Sequence, residues 1–215
     1  MVKFLFIHIP KTGGVSLNTY AKNVGLDWYI DPTKKNNDGR PLYHETFSEK
    51  LVEKLNPDFL LTSLRCPVEQ TKSMWSYLKI VREGKPGFVK MQPFSEWLRN
   101  PYDGIYGYQW GNLSPNNYVC FFGNGNPDVE VGPYVDGNFD VAVENLKRFQ
   151  IFDFNNLTKQ FNDFIFKFSN EEFDLKLNKS ESNFEISKDD VNYIKKIREQ
   201  DLELCKMFNI KTTGD

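Results

Sequence analysis

Lys11, Gly13 and Gly14 stand close together in the stretch "HIPKTGGVSL", which covers His8 to Leu17. A lysine, two hydroxyls (Thr12 and Ser16) and a glycine pair follow an apolar run, "VKFLFI", with no linker between them. These are the parts of an anion site. Backbone N–H groups at the start of a helix have no intrahelical partner and aim at negative charge. Gly13 and Gly14 lack a Cβ and so permit close backbone approach. Lys11 adds a full charge, and no Asp or Glu occurs between Met1 and Leu26. The structural alternative for so short a motif is a turn with a solvated lysine.

A second group lies in "LRCPVEQTKSMWSY". Arg65 follows the apolar stretch "DFLLTSL", and Ser73 comes eight residues later. Pro67 suits the first position of a helix, so Ser73 falls about two turns in and can face the same pocket as Arg65. Alone, an exposed arginine and a helix-surface serine explain this pair better. Beside the first loop, the pair implies a ligand that carries phosphate at two places.

The loop is not a nucleotide-triphosphate loop of the GxxxxGK[ST] kind, because its lysine precedes the glycines. A magnesium-nucleotide site also wants a carboxylate, commonly at the end of a neighbouring strand. Arg65 stands where that acid is expected, and a guanidinium fork holds phosphate rather than magnesium. Asp153 in "QIFDF" is the remaining metal-ligand candidate, with a strand-end or turn role as the preferred alternative.

The elements that must position these groups follow from the pattern of apolar residues. "VKFLFIHI" (2–9), "DFLLTSL" (58–64) and "QIFDF" (150–154) read as buried strands. Helices are expected over 15–23, from Thr46 as the cap of a Thr-x-x-Glu box, from Pro67 to Gly84, near "FSEWL", at "NYVCFFG", over "VAVENLKRF", over "NLTKQFNDFIFKF", and as one closing helix over 187–208. Strands alternating with helices predict an α/β fold: one three-layer domain over 1–215, with a mainly parallel central sheet. Ligands of such sheets bind beyond the carboxyl ends of the strands, where "PKTGG" and "RCP" both fall. Residues 84–138 are rich in Gly, Pro and aromatics and read as acceptor-side loops with short helices.

The totals exclude several classes. A net charge of −2 argues against a nucleic-acid binder, so any basic site must be local. Three scattered cysteines form neither a metal spacing nor a disulfide framework. No stretch is apolar long enough for a membrane span or a signal segment, and a reducing, cytoplasmic setting is expected.

Taken together, "FIHIPKTGGVSL" and "LLTSLRCPVEQTKSMWSYL" resemble the sulfotransferase family, in particular the carbohydrate enzymes of the heparan-sulfate 2-O/6-O type. Those carry a P-K-T-G-G-[TV]-S loop and a downstream R-[DN]-P-x-x-R-x-x-S-x-Y segment. Their donor is 3′-phosphoadenosine 5′-phosphosulfate (PAPS), which bears phosphate at both ends of its ribose. The resemblance implies that Lys11, Thr12, Gly13, Gly14, Val15 and Ser16 cradle the 5′-phosphosulfate. Arg65 and Ser73 would hold the 3′-phosphate, and Lys179 and Ser180 in "LNKSES" would close over the nucleotide. Cys66 and Gln70 depart from the pattern, standing where Asp or Asn and Arg are usual.

Sulfuryl transfer needs a base for the acceptor hydroxyl. Of two histidines, His8 near the end of the first strand reads as a core or supporting residue. His44, in "LYHETFSE", is the expected base, because an unperturbed imidazole titrates near neutral pH. Related glycan enzymes carry a histidine in a similar stretch, and Glu45 is the second choice. Lys11 would neutralise charge on the leaving phosphate; no metal is required. A neutral or weakly charged saccharide is the preferred acceptor, set against some of Trp97, Tyr102, Tyr106, Tyr108 and Trp110, several of which would be core. The alternatives are an ATP-using P-loop phosphotransferase and a non-catalytic nucleotide-binding module.

Overall fold

Four consecutive residues of the first apolar run, Phe4 to Ile7, are all buried, as in a strand covered on both faces of its sheet. A computed structural model describes residues 2–29, 46–83, 91–99, 116–125, 135–174 and 184–212. In it β1 (Lys3–Ile7) is flanked on one side by β2 (Asp27–Tyr29) and on the other by β3 (Phe59–Leu64), which in turn pairs with β4 (Gln150–Asp153). All three pairings are parallel, with Leu5 opposite both Tyr29 and Leu60, and Ser63 opposite Phe152.

Alternation along β1 divides the core into two layers. Leu5 and Ile7 face one way, into Leu51 of α2 (Glu49–Leu55), Tyr118, Val119, Phe121 and Phe122 of α5 (Asn117–Phe122), Leu146 of α6 (Phe139–Leu146) and Leu204 of α9 (Glu199–Met207). Phe4 and Phe6 face the other way, into Leu17 of α1 (Gly14–Asn23) and Leu157, Phe161 and Ile165 of α7 (Leu157–Ile165). Each fully buried side chain of this size is worth about 1.5–3 kcal/mol, so β1 alone anchors both layers. A third cluster joins α3 (Pro67–Glu83), α4 (Phe94–Arg99) and α8 (Lys188–Ile197), with Trp97 inside it at 4% exposure. Trp97 is therefore a core residue and not an acceptor platform. The sheet is α/β and parallel as expected, with helices on both faces.

Three local expectations need correction. The edge strand β2 has only three half-buried residues, too short for any periodic signal, and was not expected. Ser48, not Thr46, caps α2: its hydroxyl accepts the Leu51 N–H at 3.3 Å. Glu49 is the first helical residue, so Thr46 lies too early to cap. The closing segment is two helices rather than one. Arg198 (φ −123°, ψ 33°) leaves the helical region and serves as the last cap of α8 and the first of α9. Its guanidinium donates from Nε and Nη2 to Asp201 Oδ2 at 2.8 and 2.6 Å, and both side chains are fully buried. Arginine is a good helix former, so nothing in the local pattern marks this break. Among the described residues, no helix is long and apolar enough to cross a membrane.

The chain runs from β1 through α1 to one neighbour, and later enters the other neighbour, β3. That reversal makes the carboxyl ends of β1 and β3 the switch point at which sheets of this kind bind their ligands. The turn into α1 is shaped by its two glycines. Gly13 has φ 92°, and a Cβ on Gly14 would stand 2.0 Å from His8 Cδ2. The His8 ring is 4% exposed and packs beside Phe6, as a core residue should. Gly14→Ala is therefore expected to lower stability by about 1–3 kcal/mol through overpacking. Thermal unfolding measures this. The same substitution made in a His8→Ala background should cost clearly less, because the space is then free. Equal costs in the two backgrounds would refute the contact.

Candidate functional site

Three successive carbonyls of the loop after β1 are each held by a side chain from the β3–α3 unit. Gln70 Nε2 donates to the Pro10 carbonyl at 2.8 Å. Arg65 Nη1 donates to the Lys11 carbonyl at 3.3 Å. The Ser63 hydroxyl lies 2.8 Å from the Thr12 carbonyl and 3.1 Å from the Thr12 hydroxyl. A trans peptide points its N–H opposite to its carbonyl. The N–H groups of Lys11, Thr12 and Gly13 are thus turned away from these partners. Lys11 takes the left-handed region (φ 64°), as the tight turn demands. Beyond it α1 starts with no side-chain cap and no acid in its first turn; the Ser16 N–H turns back to the Gly13 carbonyl at 3.1 Å, so the N–H groups of Gly14 and Val15 are the ones α1 offers a ligand.

Two cations meet at this loop. The Lys11 ammonium sits 4.4 Å from the centre of the Tyr77 ring, and the Arg65 guanidinium 4.3 Å from that of Phe154. Burial, and then the charge of Arg65, push the Lys11 amine down to about 8. Burial also lowers Arg65, against an opposing pull from Glu69, but a guanidinium stays charged at any ordinary pH. Among the described residues neither cation is ion-paired to a carboxylate; Glu69 pairs with Lys72 instead. Two half-buried like charges beside uncapped helix donors are an anion site in electrostatic terms.

Ser73 belongs to the same wall. On α3, Gln70, Ser73 and Tyr77 lie three and four residues apart and so share one face. Gln70 reaches Pro10 and Tyr77 meets Lys11, so the buried Ser73 lies between two residues that touch the loop. Lys11, Gly13, Gly14 and Arg65 are thus brought together, with Ser73 on the α3 face that carries Gln70 and Tyr77. The remaining cradle residues differ in what they offer. The Thr12 hydroxyl faces inward and donates to the Ile9 carbonyl at 2.7 Å, so Thr12 can offer only its backbone N–H. Ser16 is buried, whereas Val15 is half exposed at the start of α1. Gly14 is needed first for the His8 ring, whatever it also gives a ligand.

Asp153 ends β4 as a turn residue. Its carboxylate accepts the Asn155 N–H at 3.0 Å and the Asn156 side-chain amide at 3.2 Å. Among the described residues, no three His, Cys, Asp or Glu side chains cluster as a metal site. His44, Glu45, Lys179, Ser180, Tyr102, Tyr106, Tyr108 and Trp110 lie outside the described residues.

Not anticipated from the sequence are Ser63, Gln70, Tyr77 and Phe154 as parts of the site. Gln70 stands out only as a departure from the family pattern, yet it ties α3 to the loop. Phe154 could have been found by applying the strand-end rule to "QIFDF" as to the other two strands. Tyr77 is one helical turn beyond Ser73 and follows from the same face. No protein-family model matches the chain, and no curated protein matches it.

Proposed function

We propose that the chain is a sulfotransferase that takes PAPS as donor and sulfates a hydroxyl of a saccharide. The observation that carries the reading is the pair Lys11 and Arg65. They form a half-buried double cation at the carboxyl ends of adjacent parallel strands, beside the uncapped start of α1. That arrangement fits a ligand phosphorylated at two places, and the order of lysine and glycines fits the sulfotransferase loop better than a triphosphate loop.

Bound PAPS supplies a sulfuryl group on a phosphate that can leave. The roles of the chain then follow. Lys11 and the N–H groups at the start of α1 hold the 5′ end, and Lys11 neutralises the charge that gathers on the phosphate oxygen as its bond to sulfur breaks. Arg65 grips the 3′-phosphate through two parallel N–H donors, with Ser73 on the adjoining helix face. Lys179 and Ser180 close over the nucleotide. His44 accepts the proton of the acceptor hydroxyl as its oxygen bonds to sulfur, with Glu45 as the second choice. Three buried cysteines, none of them in a disulfide, suit the cytoplasmic setting proposed for it.

Desulfated PAP, at about a hundred times its Kd and without magnesium, should stabilise the chain by about 2.7 kcal/mol, or roughly 5–10 °C in Tm. Arg65→Ala should weaken PAP binding about 10- to 100-fold, the worth of a charge-assisted contact. Stabilisation by magnesium-ATP with no response to PAP would select the phosphotransferase instead.

His44→Ala is expected to lower sulfate transfer by about 10²–10⁴-fold while PAP affinity is retained. Transfer at an unchanged rate would remove His44 from the mechanism. Tight PAP binding by the wild type with no transfer to any saccharide would leave a nucleotide-binding module.

Lys11 also sets a pH dependence. Its amine is lowered to about 8 in the free protein, and a bound anion favours the charged form. Below that value Lys11 is already protonated and binding is strong. As pH rises through it, binding must take up a proton, and PAP affinity should fall by up to about tenfold per unit. Lys11→Arg should flatten this profile between about pH 7 and about pH 9, as followed by calorimetry. A wild-type affinity that does not change across that range would contradict the role of Lys11.

A further inference from the structure

Arg65 is the first residue beyond β3, where the ladder to β4 has ended at Leu64. Its own N–H and carbonyl therefore lie past the sheet. One hydroxyl takes both, and the Cys205 thiol adds a longer contact of 3.9 Å to the carbonyl. The Tyr118 hydroxyl donates to the Arg65 carbonyl at 2.5 Å and accepts the Arg65 N–H at 3.3 Å. Tyr118 is fully buried, and burial above all pushes its phenol well above the ordinary tyrosine value, so it remains a donor.

Tyr118 is itself fixed from behind. The Arg198 guanidinium lies 5.0 Å from the centre of its ring. Asp201, bound by Arg198, accepts the N–H of the next residue, Val119, at 3.1 Å with its other oxygen. Asn116, at the cap of α5, accepts the Gln200 N–H at 3.0 Å. The kink between α8 and α9 thus clamps the start of α5, and α5 presents one hydroxyl to one backbone. Beyond that backbone, the Arg65 side chain runs to the Lys11 carbonyl and the Phe154 ring.

A phenylalanine would fill the same space in the core. The hydroxyl adds two contacts, and both are to the residue whose side chain is the site's guanidinium. We infer that Tyr118 is a positioning residue of the anion site: its hydroxyl fixes the backbone at Arg65, and so the direction of the guanidinium, with the Arg198–Asp201 pair holding Tyr118 in place. This rests on the anion-binding role of Arg65 proposed above.

The test reads Arg65 directly. Its guanidinium lies over the Phe154 ring, so ring current displaces its side-chain proton signals in NMR. In Tyr118→Phe those signals should move toward the values of a free arginine, and the Kd for PAP should rise about tenfold, as for a lost buried hydrogen bond. In an Arg65→Ala background, Tyr118→Phe should leave PAP affinity unchanged within about twofold. A merely structural tyrosine would weaken binding equally in both backgrounds. That result, or unmoved Arg65 signals, overturns the proposal. If the wild type binds no PAP but Tyr118→Phe still moves the Arg65 signals, the positioning stands and the donor reading falls. If Tyr118→Phe does not fold, hydrogen exchange in the wild type decides. The Arg65 amide should then exchange as slowly as the amides of β3, and exchange at the rate of an open loop overturns the proposal.

Discussion

The site depends on the hold that one strand and its following helix keep on three carbonyls of a loop. Ser63, Arg65 and Gln70 each spend a donor on the backbone of Pro10, Lys11 or Thr12. A loop with a lysine in the left-handed region has several competing shapes, and each of these bonds removes some of them. The hold works only because β1 and β3 are immediate parallel neighbours, with Thr62 opposite Ile7. Were the order of the sheet different, the loop and the arginine would end in different crevices. The topology thus fixes which residues can meet, and the side-chain donors fix how they meet.

A second layer of constraint lies further from the crevice. The buried Arg198–Asp201 pair sits among apolar side chains, where removing one charge typically costs about 3–5 kcal/mol. A well-packed apolar pair would often be as stable. What the charged pair adds is direction, since it bonds both the kink of the closing helices and the start of α5. Polar groups this deep specify one arrangement of the surrounding helices in a way that interchangeable aliphatic contacts do not.

Much of this was legible in the sequence, for identifiable reasons. A continuous apolar run marks a central strand, so β1, β3 and β4 follow from composition over a few residues. Lys11 and Arg65 follow from the rule that ligands lie beyond strand ends. What resists reading is set by contacts far apart in the chain. β2 has too few residues to show a period. The break at Arg198 depends on Asp201 and on a helix some eighty residues earlier. Gln70 is an unremarkable helical residue until the Pro10 carbonyl is seen against it. Gly14 resembles a ligand-approach glycine, yet the group it makes room for is the protein's own His8.

The depressed amine of Lys11 has a bearing on how such a chain drifts over time. A lysine whose folded value lies near 8 rather than 10.5 is charged at a cost in the folded state at neutral pH; as pH rises the cost begins to lift at the lower value and is gone above the higher one. Its neighbour Arg65 adds to that cost and cannot be neutralised. Selection for a sturdier fold alone would discard Lys11 early, by any of several uncharged replacements. Persistence of this lysine across a lineage would therefore record selection on the crevice, acting against the interest of the fold around it.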